Sequence, residues 1–136
     1  MWLDSTNMHS RMRETSTAVV HLNEQGVIVV RIRDRASQSA EDARANLEAA
    51  QAETAGRRRP LLVDIRTAQP LDAEARHIFT GPTLAESFTA LALLVEISPL
   101  GRMMGNIYVR VARPPLPTQL FTDEPRALEW LNNHRQ

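Results

Sequence analysis

The sequence predicts a single α/β domain: a mainly parallel sheet with an N-terminal antiparallel hairpin and four crossover or flanking helices. Three observations carry that prediction. Two short runs, 61–65 (LLVDI) and 90–97 (ALALLVEI), are almost wholly apolar, as strands covered on both faces are. Stretches with helical spacing and cap residues alternate with them. Two β-branched runs precede them, one on each side of a glycine turn. Such alternation implies parallel strands joined by right-handed crossovers.

Taken in order, residues 16–23 (STAVVHLN) and 27–33 (VIVVRIR) form the hairpin, with Gly26 free to take a positive φ in the turn between them. Ser39 and Asp42 have capping-box spacing and open a helix running through Glu53, with Ala43, Leu47 and Ala50 as its apolar stripe. Gly56 is the expected C-terminal cap. The basic run Arg57, Arg58, Arg59 reads as a solvated loop leading through Pro60 into the strand at 61–65. Asp72 caps a helix begun by AEARHIF, which Gly81-Pro82 ends. Thr83 with Glu86 marks another capped turn before the strand at 90–97.

Ser98-Pro99 starts the next helix, the hydroxyl as cap and the proline in the first turn. Gly101 and Gly105 lie one turn apart on it. They signal either close packing or mere tolerance near a helix start. A last strand at 118–121 and a C-terminal helix capped by Thr122 or Asp123 complete the order. Residues 1–15 read as a flexible leader and 16–136 as the domain.

Composition narrows the function. A chain of 136 residues buries roughly two-thirds of its unfolded surface, so it folds without metal or disulfide. Sixteen basic residues balance sixteen acidic ones, so no field gathers nucleic acid or anionic lipid. Aromatics at 4% are too few for a base-stacking platform. With no cysteine there is no thiol nucleophile and no thiolate metal site. No apolar run approaches membrane-spanning length, and a cytoplasmic location is expected. His9, His21, His77 and His134 lack ligand-like spacing, and phosphate-loop, dinucleotide and nucleophile-elbow motifs are absent. Glu41 with Arg44 and Glu74 with Arg76 read as solvated helix faces. The expectation is a domain without catalytic residues, metal or cofactor.

One edge is still singled out. In open α/β sheets, ligands and partners meet the loops leaving the carboxyl ends of the strands. Helix starts at Asp72, Ser98 and Asp123 bring free N–H groups there. The candidate binding residues at this edge are Arg66, Thr67, Asp72, Arg76, Ser98 and Arg102.

The segment VDIRTAQPLDAEAR, 63–76, resembles the signature region of the STAS domain, the SpoIIAA-like fold of anti-sigma-factor antagonists. Family members carry there an apolar strand, a short loop, and an aspartate-serine pair opening a helix. EISPLGR at 96–102 is similar to the family's next strand end and helix start, and QLFTDEPRALEWL at 119–131 to its closing strand and helix. The resemblance implies a non-enzymatic regulatory module that holds a protein partner and is switched by phosphorylation of the serine.

Here Asp72 matches the aspartate, but Ala73 stands in place of the serine, and the glycine usual shortly after is absent, with Ala75 close by. Alanine has no hydroxyl, so phosphorylation at this edge would need Ser98 or Thr67. The alternative is a small-ligand or anion-binding domain using the same helix starts with Arg66, Arg76 or Arg102. A closed pocket would favour the ligand and a convex edge the protein. A homodimer is also expected, since zero net charge does not keep copies apart and the hairpin offers a strand edge.

Overall fold

The computed structural model describes residues 12–112 and 114–135. Its strands are β1 (Arg13–Glu14), β2 (Ala18–Leu22), β3 (Ile28–Ile32), β4 (Arg59–Asp64), β5 (Phe88–Leu94) and β6 (Thr118–Phe121). Between and after them lie α1 (Ala40–Ala52), α2 (Ala73–Ile78), α3 (Thr83–Ser87), α4 (Pro99–Asn106) and α5 (Glu124–Asn132). A π-helical segment, Ile107–Ala112, prolongs α4.

The sheet runs β1-β2-β3-β4-β5-β6, antiparallel up to β3 and parallel beyond it. Strands added one after another in one direction by right-handed crossovers place every crossover helix on the same face. The packing agrees. Ala43 and Leu47 of α1, Ala75 of α2, Leu84 of α3 and Met104 of α4 share one core with Ile28, Val30, Leu61, Val63, Leu91 and Leu93. The alternate strand residues, Val29, Leu62, Ala90, Ala92 and Leu94, face the other way. Only a helix after the last strand can cover them, and α5 does so with Ala127 and Leu131. All seven residues of β5 are buried, as its apolar run predicts.

Local signals behave as their chemistry dictates. Asn23 Oδ1 accepts from the N–H groups of Gln25 and Val27, each at 2.9 Å, and Gly26 takes φ +84° in the hairpin turn. Ser39 and Asp42 form the full capping box of α1. The β4–β5 register slips between Arg59 and Leu61, where Pro60 has no N–H to give. Gly101 and Gly105 are buried close contacts. A Cβ at Gly101 would overlap the Glu96 backbone, and one at Gly105 would overlap the Leu120 side chain.

Several expectations are corrected. Arg13–Glu14 pairs with β2, so the expected 1–15 leader gives way to sheet at Arg13; the leader expected over residues 1–11 lies outside the described residues. Helix α1 ends on Glu53 in ordinary helical conformation, and Gly56, at φ +81°, belongs to the turn after it. The turn at Thr83 is itself a short helix, without the side-chain cap expected there. Strand β5 starts at Phe88 and stops at Leu94, so Ile97 lies outside the sheet and is 74% exposed.

Candidate functional site

Loops at the carboxyl ends of the parallel strands are stitched together before any partner arrives. Arg35, at φ 58°, donates its N–H to the Thr67 carbonyl at 2.7 Å, and Gln69 donates to the Ala36 carbonyl at 3.0 Å. Thr67 Oγ1 donates to Asp34 Oδ1 at 2.8 Å. Asp72 accepts from the Ala75 N–H at 2.8 Å and Ser98 from the Gly101 N–H at 3.0 Å, so each caps its own helix.

On the α5 side of this edge four charges close on one another. Arg31 grips Glu124 with two hydrogen bonds, 2.9 and 2.8 Å, and donates to Asp64 Oδ2 at 2.8 Å. Arg66 grips Asp64 from the other side at 3.0 and 2.8 Å, and its backbone N–H adds a bond of 3.1 Å. Burial pushes the Asp64 carboxyl up, but the bonds and charge of Arg66, with those of Arg31, outweigh it and hold the group below the ordinary carboxylate value. The hydrogen bonds of Arg31 hold Glu124 down against its own partial burial. Nearby, burial and then the Arg31 charge lower the pKa of His21, whose Nδ1 has no hydrogen-bond partner.

On the other face, between α2 and α4, lies an apolar cavity of about 150 Å³. Its floor is Val63, Leu91 and Leu93 of the sheet with Ile65 just past β4; its walls are Phe79, at the end of α2, and Met104 of α4. Leu100 and Met103 also line it and are each 53% exposed, which puts the mouth beside α4. Its polar contributions come from Gln38 and Arg76. Gln38 is only 5% exposed. A smaller cavity of about 100 Å³ shares Ile65, Pro70, Leu100 and Met104 and reaches Arg66, Glu96 and Gly101. Because half-exposed Leu100 and Met103 line it, the larger cavity is a cleft open to solvent and not a sealed void in the core.

The six candidate residues therefore have different fates. Arg76 faces the larger cavity and donates from Nη1 to the Leu71 carbonyl at 3.1 Å. Arg66 is engaged in the ion network across the sheet from it. Thr67, Asp72 and Ser98 hold loops and helix starts. Arg102 lies on the outer side of α4, in a shallow groove with Pro99, Asn106 and Arg110.

Sequence reasoning missed Arg31, Asp64 and Gln38, put Glu124 in a loop at this edge without giving it a role, and did not foresee the exposure of Ile97, Leu100 and Met103. A signal for the first two existed. Each of two buried-type strands carries one charge near its carboxyl end, and Arg31 and Asp64 prove to be register partners. Among the described residues no group of three or more His, Cys, Asp or Glu side chains could hold a metal ion, and no helix is long and apolar enough to cross a membrane.

Comparison with known proteins bears on the fold and the family. No curated protein matches the chain. A crystal structure of an uncharacterised DUF3478-family protein with a SpoIIAA-like fold, from Shewanella loihica PV-4, superposes with a TM-score of 0.54 at 17% identity, over 88% of this chain and 90% of that one. A protein of unknown function from Arthrobacter sp. FB24 matches at 28% identity and a TM-score of 0.34, over 88% and 95% of the two chains. The family described as Domain of unknown function (DUF7793) matches residues 21–135. The fold is thus the SpoIIAA-like fold that the STAS resemblance implied, and the chain belongs to the DUF7793 family.

Proposed function

We propose that this domain is a non-enzymatic interaction module whose α4 edge holds a protein partner. The observation behind this is the apolar ridge of Ile97, Leu100 and Met103, left 53–74% exposed beside an apolar cleft. Capping and pairing occupy Arg66, Thr67, Asp72 and Ser98 at the same edge, so the surface beside α4 is apolar with a basic rim at Arg102 and Arg110. A partner presenting an apolar anchor and an acidic border fits it.

Binding is constitutive in this reading. Ala73 occupies the first turn of α2 behind the Asp72 cap, where the STAS phosphoacceptor would stand. The two remaining hydroxyls each face a carboxylate: Thr67 lies 2.8 Å from Asp34 and Ser98 lies 3.4 Å from Glu96. A phosphate on either would meet like charge.

The test is capture from host extract with the wild type, Leu100→Glu, Met103→Glu, Arg102→Glu and a control on α5, Glu129→Lys. The reading requires one partner kept by wild type and control and lost by the ridge variants. Equal capture by all five proteins would reject this edge. Stoichiometric phosphate at Ser98 or Thr67 in protein from its own host would overturn constitutive binding.

The second reading, a small-ligand domain, is favoured by the cavity itself.

A further inference from the structure

We propose that the cavity beneath α4 binds a small carboxylate with a compact apolar body, its acid group held by Arg76 and its carbon body on the sheet floor. This is the small-ligand reading made specific; it shares Leu100 and Met103 with the protein-partner reading but rests on Arg76 and the sheet floor, which that reading does not use.

Size, lining and charge each narrow the ligand. At about 150 Å³ the cavity matches an engineered apolar cavity that takes up benzene, so it suits a body of about six to ten heavy atoms and is too small for a nucleotide. The floor of Val63, Ile65, Leu91 and Leu93 offers a body no hydrogen bonds, which calls for hydrocarbon. Arg76 is the one charged side chain among the lining residues. It is half-buried, and among the described residues no carboxylate forms an ion pair with it. A guanidinium so placed still has N–H groups for an anion, and a carboxylate matches its planar fork.

Gln38 is the second, independent sign. It is only 5% exposed, it lines the cavity, and its Oε1 accepts from Asn46 Nδ2 at 2.7 Å, which leaves its Nε2 as the end able to donate. What it can offer an occupant is therefore a donor, which again selects an acceptor group. Glu96, the one carboxylate among the residues lining either cavity, is exposed and belongs only to the outer one.

The test uses the isotope-labelled full chain and three probes: benzoate, toluene and acetate. Benzoate is expected to shift amide signals of Val63, Leu91, Leu93, Met103 and Met104 and to raise Tm as its concentration grows. Toluene should move the same signals more weakly, and acetate should leave them unmoved. Arg76→Gln should weaken benzoate about tenfold or more, the scale of a charge-assisted bond, and leave toluene unchanged. Toluene binding also reports that this variant is folded. Should it not fold, Arg76→Lys replaces it, with an expected intermediate loss.

Leu93→Phe should fill the cavity and abolish both ligands. Unchanged benzoate affinity in Arg76→Gln, shifts only outside the cavity, or no binding of benzoate at millimolar concentration would each overturn the proposal. These outcomes are separable from the partner reading, because ridge variants can lose a protein partner while every probe fails, and the converse.

Discussion

At the residue scale, the polar groups of this edge divide into those that hold the fold and those left for a visitor. The Arg31–Asp64–Arg66–Glu124 network belongs to the first kind, since it ties the ends of β3 and β4 to the start of α5. Its acids have folded pKa values below their ordinary 3.8 and 4.5. Their contribution is complete above those values and lost as pH falls through the lower folded ones. His21 acts earlier. Its folded pKa lies below 6.5, so the neutral ring favours the fold and stability begins to fall as pH drops below 6.5. Chemical denaturation across the acid range should show a decline starting there, and His21→Val should remove that first part and leave the later carboxylate part. An unchanged onset in the variant would remove His21 as the cause. Asp64→Asn weakens the hold on two arginines that are more than a third exposed and keep Glu124, and should cost about 1–2 kcal/mol, read from the denaturation midpoint.

At the scale of elements, α4 is the unusual one. Its C-terminal half can approach β6 because Gly105 has no side chain, whereas Leu100 and Met103 toward its start stand over a cavity. Gly105→Ala should cost about 1–3 kcal/mol by overpacking against Leu120. The double variant with Leu120→Ala should cost less than the two single costs together, because the added methyl then has room. Strict additivity would show that the close approach is not what constrains position 105. At Gly101 the obstacle is the Glu96 backbone, so no partner substitution should rescue an alanine there.

For the whole molecule, burial on both faces makes β4 and β5 the last elements to open. Amide exchange should be slowest at residues 61–65 and 88–94, and Val63→Asp, placing an unpaired charge among apolar neighbours, should unfold the domain. Rapid exchange in both strands would contradict this core. Self-association through a strand edge is poorly served. Strand β1 offers two charged residues, and β6 is short and follows Pro114, Pro115 and Pro117. We propose that any homodimer uses the α4 ridge, so light scattering should find a dimer that Leu100→Glu dissociates. A monomer mass at all concentrations removes the dimer, and a dimer indifferent to Leu100→Glu moves it to another surface.

Much of the architecture was legible in the chain because it depends on local, periodic chemistry. The Ser39–Asp42 capping box, the Asp72 and Ser98 caps, Gly26 in its turn and the apolar runs of β4 and β5 each announce themselves within a few residues. The STAS-like order of elements followed from them, as did the edge where loops and helix starts gather. What lay beyond reach depends on contacts between distant residues. Arg31 meets Glu124 across 93 positions, and Gln38 and Arg76 come to one cavity from separate loops and helices. Ile97 continues an apolar run in sequence yet leaves the sheet, because pairing with β6 ends at Leu94 against Phe121. The sequence by itself determined which segments form strands and helices and which end of the sheet carries the loops. Only the tertiary structure decided which charges neutralise one another and where apolar surface remains unfilled, because pairing and packing are set by distance in space.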